Sequence, residues 1–329
     1  MKKHDLSLDI LRVLSCIMVF GVHMGNIPGI IGRFLSHGST GVDFFFILSG
    51  FLAYRSLSGI FKEQKPDRKG LFTYWVKRAA RILPLYYLIV IFYMILYYIL
   101  GEVPEDPTGL YWLRYLFFLN LWVPTESFGF WMNLGALWTI SVFVLFYLIA
   151  PFYYRFVQNY VSAWAGVIVS FGILKLSDMF GYEYIPIRFL FYFFLGILLK
   201  IALDEHKEHQ LSGIFTLLLI FLILTDSGKA LAPQLAASLY ILMTGGAFAG
   251  VSENSIIYRV ITFLSMISYS VYLDHVFIMS LLGALGISNR ILWVALTLVM
   301  SVITYYLVEK KFGNFFCSIL LRKAGSQNG

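Results

Sequence analysis

The sequence predicts an all-α, polytopic membrane bundle of about ten transmembrane helices with both termini in the cytoplasm, and three observations support this prediction. The chain has 329 residues, of which 59% are hydrophobic and only 13% are charged; soluble domains have about twice that charged share. The apolar residues form runs of about 20, the length at which a helix crosses a bilayer. Lysine and arginine collect between alternate runs, as cytoplasmic loops require.

Ten spans follow one another along the chain. They lie near residues 8–27, 41–58, 82–101, 130–154, 163–180, 186–202, 211–226, 230–250, 259–284 and 290–309. The stretch 110–122 is apolar but too short to cross a core of about 30 Å, so we expect it to be interfacial or re-entrant. These spans account for the length of the chain. We therefore expect residues 1–329 to be a single transmembrane domain without an appended soluble domain.

The distribution of charge predicts the orientation in the membrane. With the N-terminus inside, most of the 25 lysines and arginines fall in cytoplasmic tails and loops. The loop at 62–81 is strongly basic, whereas the opposing loop at 101–130 is mainly acidic. This asymmetry predicts cytoplasmic termini and a plasma or inner membrane location. The formal net charge of +7 is then a consequence of topology, and no nucleic-acid partner is expected.

Three ionisable residues in the first span are the strongest functional signal. Arg12 and His23 are eleven residues apart, which returns a helix to within about 20° of its start, and Asp9 lies within about 60° of the same face. Each such group resists burial in hydrocarbon by about 2.5–3.5 kcal/mol or more, so function is the default interpretation. A neutral imidazole can accept a proton from a hydroxyl nucleophile. The alternative is a structural histidine bonded to a neighbouring helix.

A basic motif opens the third span. Arg78 and Arg81 are three residues apart and point the same way from a helix at the cytoplasmic mouth of the bundle. Two guanidinium groups in this position would bind phosphates, which arginine contacts bidentately. The alternative is a cluster that only fixes topology or touches anionic lipid head groups.

The second span carries a polar position within an apolar run. Asp43 lies at its outer end, near His23 in depth if the first two helices are neighbours. The pair Ser49-Gly50 would permit either close helix approach or a local break. Taken alone, these residues indicate packing and an interfacial charge.

Later spans carry fewer polar features. Trp138 and Ser141 belong to the fourth span, with Ser141 near its middle. Asp274 and His275 form an Asp-His pair inside the ninth span, which would serve either as a proton relay or as a satisfied core hydrogen bond. Glu309 closes the tenth span.

Taken together and in order, these motifs resemble the acyltransferase family 3 membrane proteins. The resemblance covers nearly the whole chain and rests on Asp9-x-x-Arg12 with His23, on Gly41–Phe51, on Arg78-x-x-Arg81-Ile-x-Pro84, on Leu137–Ser141, on the Ser-Tyr-Ser-Val-Tyr-Leu-x-His run ending at His275, and on Glu309. It implies transfer of an acyl group, commonly acetyl, from a cytoplasmic coenzyme A thioester to a sugar hydroxyl outside. It also implies that His23 is catalytic and that Arg78 and Arg81 serve acyl-CoA use.

One position departs from the family pattern. After Leu-Trp-x-x-Ser-Val the family often carries a glutamate, and here Phe143 occupies that place. If a carboxylate is needed, Asp43, Asp274 and Glu309 remain to supply it. Many family members also carry an additional hydrolase-like domain, and we expect none here.

The sequence therefore predicts an acyl-CoA-dependent O-acyltransferase of saccharides in the cell envelope. His23 would act as general base or acyl carrier, with Asp9 and Arg12 beside it. We expect acyl-CoA and a saccharide as substrates, with no bound cofactor and no metal. A proton-coupled or glycan transporter using the same polar residues stays open, as does a non-catalytic scaffold; the oligomeric state and the acceptor are left undetermined.

Overall fold

A computed structural model describes residues 5–25, 28, 29, 32, 35, 37–61, 68–101, 111–121, 134–182, 185–225, 231–244, 246–248 and 250–326. Over these residues all regular elements are helices. The α-helices are α1 Leu6–His23, α2 Thr40–Phe61, α3 Arg68–Leu100, α4 Tyr111–Leu116, α5 Trp138–Phe156, α6 Tyr160–Met179, α7 Leu190–Asp204, α8 Glu208–Thr225, α9 Ala232–Thr244, α10 Ile256–Ala284, α11 Arg290–Thr304 and α12 Gly313–Ser326. Short 3-10 helices, Leu134–Leu137 and Pro186–Phe189, precede α5 and α7, and a π-helix, Tyr305–Phe312, joins α11 to α12.

The predicted membrane bundle is confirmed, with one short member. In the described part of the chain, nine helical segments are long and apolar enough to cross a membrane. The predicted span at 230–250 is wrong in length, because α9 has only 13 residues and covers about 20 Å at 1.5 Å per residue. The apolar composition continues past Thr244, but Gly246 adopts a φ of +81°, which no helix tolerates. The stretch predicted to be interfacial contains only the six-residue helix α4.

The chain forms two compact units. Unit 1 comprises residues 1–58, 150–183 and 187–268, and unit 2 comprises residues 59–149, 184–186 and 269–329. All of α1, almost all of α2, the end of α5 and α6 to α9 lie in unit 1. All of α3 and α4, the first part of α5 and the segment from α11 to α12 lie in unit 2. The long helix α10 contributes its first part to unit 1 and its second part to unit 2.

Two glycines allow a close helix crossing in unit 1. A Cβ atom added to Gly50 of α2 would lie 2.1 Å from the carbonyl oxygen of Phe193 on α7. A Cβ added to Gly196 of α7 would lie 2.0 Å from the carbonyl oxygen of Ile47 on α2. Small residues allow such backbone contact between membrane helices, where packing replaces the hydrophobic effect as the driving force. Of the two alternatives for Gly50, close approach is therefore correct, and α2 runs unbroken through this residue.

A second glycine pair holds α2 against α1. A Cβ added to Gly38 would lie 2.1 Å from the carbonyl oxygen of Met18 and 2.7 Å from Cβ of Val22. A Cβ added to Gly41 would lie 2.6 Å from the carbonyl oxygen of Ser15. The first two helices are thus neighbours, and the start of α2 meets the end of α1.

In unit 2, the end of the chain packs on the first part of α3. Pro84 lies inside α3 and, lacking an N–H, leaves the carbonyl of Ala80 without its usual helical partner. Gly313, the first residue of α12, comes so near that an added Cβ would lie 2.6 Å from this carbonyl oxygen. The hydroxyl groups of Tyr86 and Tyr87 donate to the carbonyl oxygens of Tyr115 and Leu116, at 2.6 and 3.0 Å, and so attach α4 to α3.

Candidate active site

A buried ion pair occupies the N-terminal half of α1. Arg12 Nη1 lies 3.2 Å from Asp9 Oδ1 and donates to Ser265 Oγ of α10 at 2.7 Å. Ser265 Oγ in turn donates to Asp9 Oδ1 at 2.5 Å. Asp9 is only 3% exposed, so the triangle satisfies charges that lipid does not solvate. The predicted Asp9–Arg12 stripe is therefore an ion pair locked by a serine from a distant helix.

His23 is the last residue of α1. Its Nδ1 lies 2.9 Å from the carbonyl oxygen of Val19, one turn earlier. A carbonyl accepts only, so Nδ1 carries the proton and the basic lone pair of the neutral imidazole is on Nε2. The side chain is exposed at the helix end, about 16 Å along the helix from Arg12. This geometry fits a histidine that exchanges protons with a ligand, and Asp9 and Arg12 are too far along α1 to orient its ring.

Asp43 lies in the first turn of α2 and bonds to a residue not expected from the sequence. Gln234 of α9 donates its Nε2–H to Asp43 Oδ2 at 2.7 Å. Arg188 lies close enough to interact electrostatically with Asp43, and its Nη2 donates to Asp178 Oδ1 at 2.5 Å. Gly41, two residues before Asp43, faces Ser15 and Met18, which both precede His23 on α1. Asp43 therefore lies beside an earlier part of α1 and is not level with His23. Ser49, six residues on, is half-buried within α2.

Arg78 and Arg81 lie on α3 in different surroundings. The guanidinium of Arg78 stacks on two tyrosine rings, 5.4 Å from the centroid of Tyr74 and 5.0 Å from that of Tyr147. Tyr147 is fixed from the other side, since Trp75 Nε1 donates to its carbonyl oxygen at 3.1 Å. Arg81 is exposed. The two arginines thus differ: one is held by aromatic rings and the other is presented to solvent.

Further cations lie beside this pair within unit 2. Lys310 and Lys311 end the π-helix, directly before Gly313, and both are exposed. Because Gly313 contacts the carbonyl of Ala80, the backbone at the end of the π-helix packs on the turn of α3 between Arg78 and Arg81. Neighbouring backbone segments thus carry four cations, and a surface with several like charges attracts anions.

Phe143 fills the position at which the family often has glutamate. Its ring stacks on Tyr147 with centroids 6.2 Å apart and an interplanar angle of 20°. Arg78 lies over the same Tyr147 ring, with its guanidinium 5.0 Å from the ring centroid. Aromatic faces attract a guanidinium through their quadrupole. Phe143 therefore supports the tyrosine ring that Arg78 contacts.

The two remaining carboxylates predicted from sequence belong to one buried polar seam in unit 2. Thr304 Oγ1 donates to Asp274 Oδ2 at 2.7 Å, and Ser270 Oγ donates to Glu309 Oε1. Asp274 and Glu309 interact electrostatically. His275 points elsewhere: its Nδ1 lies 3.1 Å from the carbonyl oxygen of Val271. His275 Nδ1 and Asp274 Oδ2 thus each bond to another group, and the choice between a proton relay and a core hydrogen bond stays a prediction.

Trp138 and Ser141 lie at the start of α5. Trp138 is its first residue, so Ser141 lies in the first turn and the prediction that placed it mid-span was wrong. The helix begins at 138 rather than 130, and residues 130–133 lie outside the described residues. Ser141 Oγ donates to Asn120 Oδ1 beyond the end of α4, which ties that segment to α5.

Sequence analysis missed the polar residues that complete these groups. Ser265 and Gln234 lie on helices α10 and α9, more than 190 positions along the chain from their partners. Thr297, Ser301 and Thr304 form a buried stripe on α11 at steps of four and three residues. That spacing is the one signal that the sequence offered.

Comparison with known proteins places these groups in a family context. Residues 5–310 match the profile of acyltransferase family 3, described as an acyltransferase domain. The chain is 29% identical over 187 residues to peptidoglycan O-acetyltransferase OatA of Listeria monocytogenes, which covers 53% of this chain and 28% of that protein. It is 29% identical over 164 residues to acyltransferase MdmB of Streptomyces mycarofaciens, 46% of this chain and 40% of that protein. The chain thus aligns with less than half the length of either relative. No solved structure matches it.

Proposed function

The chain belongs to acyltransferase family 3, and on that premise we propose that it is a membrane O-acyltransferase. It transfers an acyl group, in the first instance acetyl, from cytoplasmic acyl-CoA to a hydroxyl of an extracytoplasmic or lipid-linked saccharide. Its location is the plasma or inner membrane, with both termini in the cytoplasm. One relative is named for O-acetylation of peptidoglycan, which supports both the acyl group and the class of acceptor.

The orientation of the His23 imidazole is the observation that carries the proposal. With Nδ1–H engaged by the carbonyl oxygen of Val19, Nε2 is the basic atom and lies on the exposed side chain at the end of α1. Nε2 removes the proton of the acceptor hydroxyl as its oxygen attacks the thioester carbonyl. The carbon–sulfur bond then breaks, and the departing thiolate takes a proton to become the coenzyme A thiol. In an alternative course Nε2 itself attacks the thioester and carries the acyl group to the hydroxyl.

The donor half of the proposal rests on the cations of unit 2. Coenzyme A carries a pyrophosphate and a ribose phosphate, and arginine binds phosphates with paired N–H donors. Arg81, Lys310 and Lys311 are exposed for such contacts. Arg78 contacts two tyrosine rings, which limit where its guanidinium can lie. Acyl-CoA is a substrate here, and we propose no bound cofactor.

We propose that the Asp9–Arg12–Ser265 triangle keeps a polar site between α1 and α10. Its members satisfy one another, so the charge of Arg12 is kept in the membrane without a ligand. A thioester or its amide-rich arm can then exchange one of these hydrogen bonds for its own carbonyl. This role is a positioning one, because the reacting atoms are assigned to His23.

The test is acyl transfer by purified protein in proteoliposomes with radiolabelled acetyl-CoA, measured as label in the protein or in added glycan. His23→Ala is expected to lower transfer by at least about 100-fold, the usual contribution of a general base, while coenzyme A binding persists. His209→Ala is the matched control, since His209 is an exposed histidine of α8. The double change Arg78→Ala/Arg81→Ala should abolish coenzyme A binding.

Two results would contradict the proposal. Full transfer by His23→Ala would remove the histidine from the chemistry. A wild-type protein that neither binds coenzyme A nor transfers label, yet carries glycan or protons across the bilayer, would favour a transporter instead.

A further inference from the structure

One amide oxygen in unit 1 is buried without a hydrogen-bond donor. Gln234, in the first turn of α9, is 2% exposed, and its Oε1 contacts no donor among the described residues. Leaving such an acceptor unsatisfied costs about 1–3 kcal/mol. Buried polar groups are otherwise paired in folded proteins, so an exception calls for an explanation.

Rotating the amide does not relieve this cost. Gln234 Nε2 donates to Asp43 Oδ2 at 2.7 Å, and exchanging the two amide atoms would set an oxygen against the carboxylate. The nearby hydroxyl of Ser238 does not reach the amide, since its Oγ donates to the backbone carbonyl oxygen of Gln234 at 2.9 Å. Asp43 therefore holds the amide in one orientation, with Oε1 turned away from the carboxylate and in need of a donor.

The charges nearby define which donor fits. Arg188, the cation that interacts with Asp43, already pairs with Asp178 at 2.5 Å, and Asp178 also pairs with Lys175 at 3.6 Å. A phosphate or carboxylate would gain little here and would meet the charge of Asp43. A neutral group with O–H donors would satisfy Oε1 and lie beside a carboxylate that also accepts. Adjacent hydroxyls on a sugar ring have this chemistry.

The position of the Gln234–Asp43 pair is consistent with binding a sugar near His23. Asp43 lies at the start of α2 and His23 at the end of α1. Gly38 meets Val22, the residue before His23, and five residues separate Gly38 from Asp43. At 1.5 Å per residue this is a difference in depth of about 7.5 Å, comparable with the width of one or two sugar rings. The amide and the histidine are thus at the same end of unit 1.

We propose that Gln234 and Asp43 form a hydroxyl-binding subsite for the acceptor saccharide, with Gln234 Oε1 accepting from one sugar hydroxyl and Asp43 fixing the amide. This inference rests on the proposed function for the identity of the ligand. Gln234 binds and positions the acceptor, whereas His23 acts on the hydroxyl that reacts. The subsite selects a polyhydroxylic acceptor and takes no part in binding coenzyme A.

The experiment uses soluble glycan fragments of peptidoglycan as the acceptor probe, with purified full-length protein. Equilibrium binding of tritiated fragments is measured first, and transfer from saturating radiolabelled acetyl-CoA second. Gln234→Met keeps the length and volume of the side chain but removes the amide. Its Kd and KM for the fragments should rise about tenfold, the equivalent of one lost hydrogen bond. The kcat and the Kd for coenzyme A should stay within about twofold.

Two further variants separate binding from folding. Ser238→Ala removes a fully buried hydroxyl one turn along the same helix and should leave Kd and KM for the fragments unchanged. Asp43→Asn still accepts from Gln234 Nε2 and preserves the orientation of the amide, so its effect on fragment binding should be smaller than that of Gln234→Met.

The outcomes distinguish this inference from the function on which it rests. If wild-type protein transfers label and Gln234→Met has an unchanged KM, the subsite is wrong and the function stands. If Gln234→Met loses coenzyme A binding as well, or if Ser238→Ala weakens fragment binding equally, the amide is only structural and the subsite is again wrong. If fragments bind through Gln234 and no label is transferred, the subsite stands and the acyltransferase proposal falls.

Discussion

Replacing Gly50 with alanine tests the helix crossing on which unit 1 depends. The added Cβ would lie 2.1 Å from the carbonyl oxygen of Phe193, whereas Cβ contacts in real proteins essentially never fall below 3.0 Å. The two helices must therefore separate by about 0.9 Å at this point. Since the opposing atom belongs to the backbone, no change of rotamer relieves the contact.

The energetic cost follows from this displacement. Overpacking a close-packed interior costs about 1–3 kcal/mol, and alanine returns about 0.5–1 kcal/mol through its better helix propensity. The net destabilisation is thus expected at about 0–2.5 kcal/mol, centred on about 1 kcal/mol. The change also moves α2, which carries Asp43. A shift of about 1 Å in a catalytic arrangement can reduce turnover by about 100-fold, so activity should fall more steeply than stability.

The assay is thermal unfolding in detergent micelles, followed by the loss of the monodisperse peak in size-exclusion chromatography. Gly50→Ala and Gly196→Ala should both lower the midpoint by several degrees. Gly213→Ala is the matched control, since Gly213 is also inside a helix but has nothing within 4 Å of an added Cβ; its midpoint should stay the same or rise slightly. If Gly50→Ala matched Gly213→Ala in midpoint and in activity, the close crossing would be refuted.

Three other changes test the polar groups. Asp9→Asn leaves Arg12 as a buried charge without its carboxylate, and should destabilise the protein by about 3–5 kcal/mol in chemical denaturation; the added change Arg12→Met should recover part of that loss, and no recovery would contradict the ion pair. Arg78→Lys removes the planar group that stacks on two rings, so the Kd for coenzyme A should rise about five- to thirtyfold by equilibrium dialysis, about 1–2 kcal/mol. Arg81→Lys keeps an exposed charge and should change this Kd less; equal effects would show that stacking is irrelevant. Thr304→Val removes the donor to a buried carboxylate at constant shape and should cost about 1–3 kcal/mol in the same denaturation assay, whereas an unchanged midpoint would show that the bond contributes nothing.

The membrane helices were predictable from the sequence because hydrocarbon requires long apolar runs. The residues at which these helices begin and end were less predictable. Hydropathy begins the third span at 82, but α3 starts at Arg68, since a helix continues through polar residues that hydropathy excludes. The opposite error occurs after Thr244, where the sequence stays apolar and glycine ends the helix. Amino-acid composition indicates which segments can be buried in a membrane, whereas backbone conformation determines the residue at which a helix ends.

The site was predictable only where its members share one helix. Asp9 and Arg12 are three residues apart, and the spacing predicted a common face; their ion pair agrees with it. Ser265 and Gln234 reach the same groups from other helices, and no local pattern marks them. Whether Arg78 stacks on rings or extends into solvent also depends on Tyr147, which only the fold brings near.

The π-helix at Tyr305–Phe312 holds one residue more than an α-helix would place between Thr304 and Glu309 on one face. Thr297, Ser301 and Thr304 follow steps of four and three residues, but Glu309 comes five residues after Thr304. In an α-helix five residues turn through about 500°, which would place Glu309 about 140° away from the threonine. A π-turn, with its i to i+5 bonds, brings the two back onto one face. Removing one residue between 305 and 308 would place the glutamate four residues after Thr304, about 40° from it in a plain α-helix, so the carboxylate would reach the seam without a π-turn. The π-turn therefore accommodates one residue more than an α-helix needs between the threonine and the carboxylate, and it rotates every later residue, including Lys310 and Lys311, by about 100° relative to an uninterrupted α-helix.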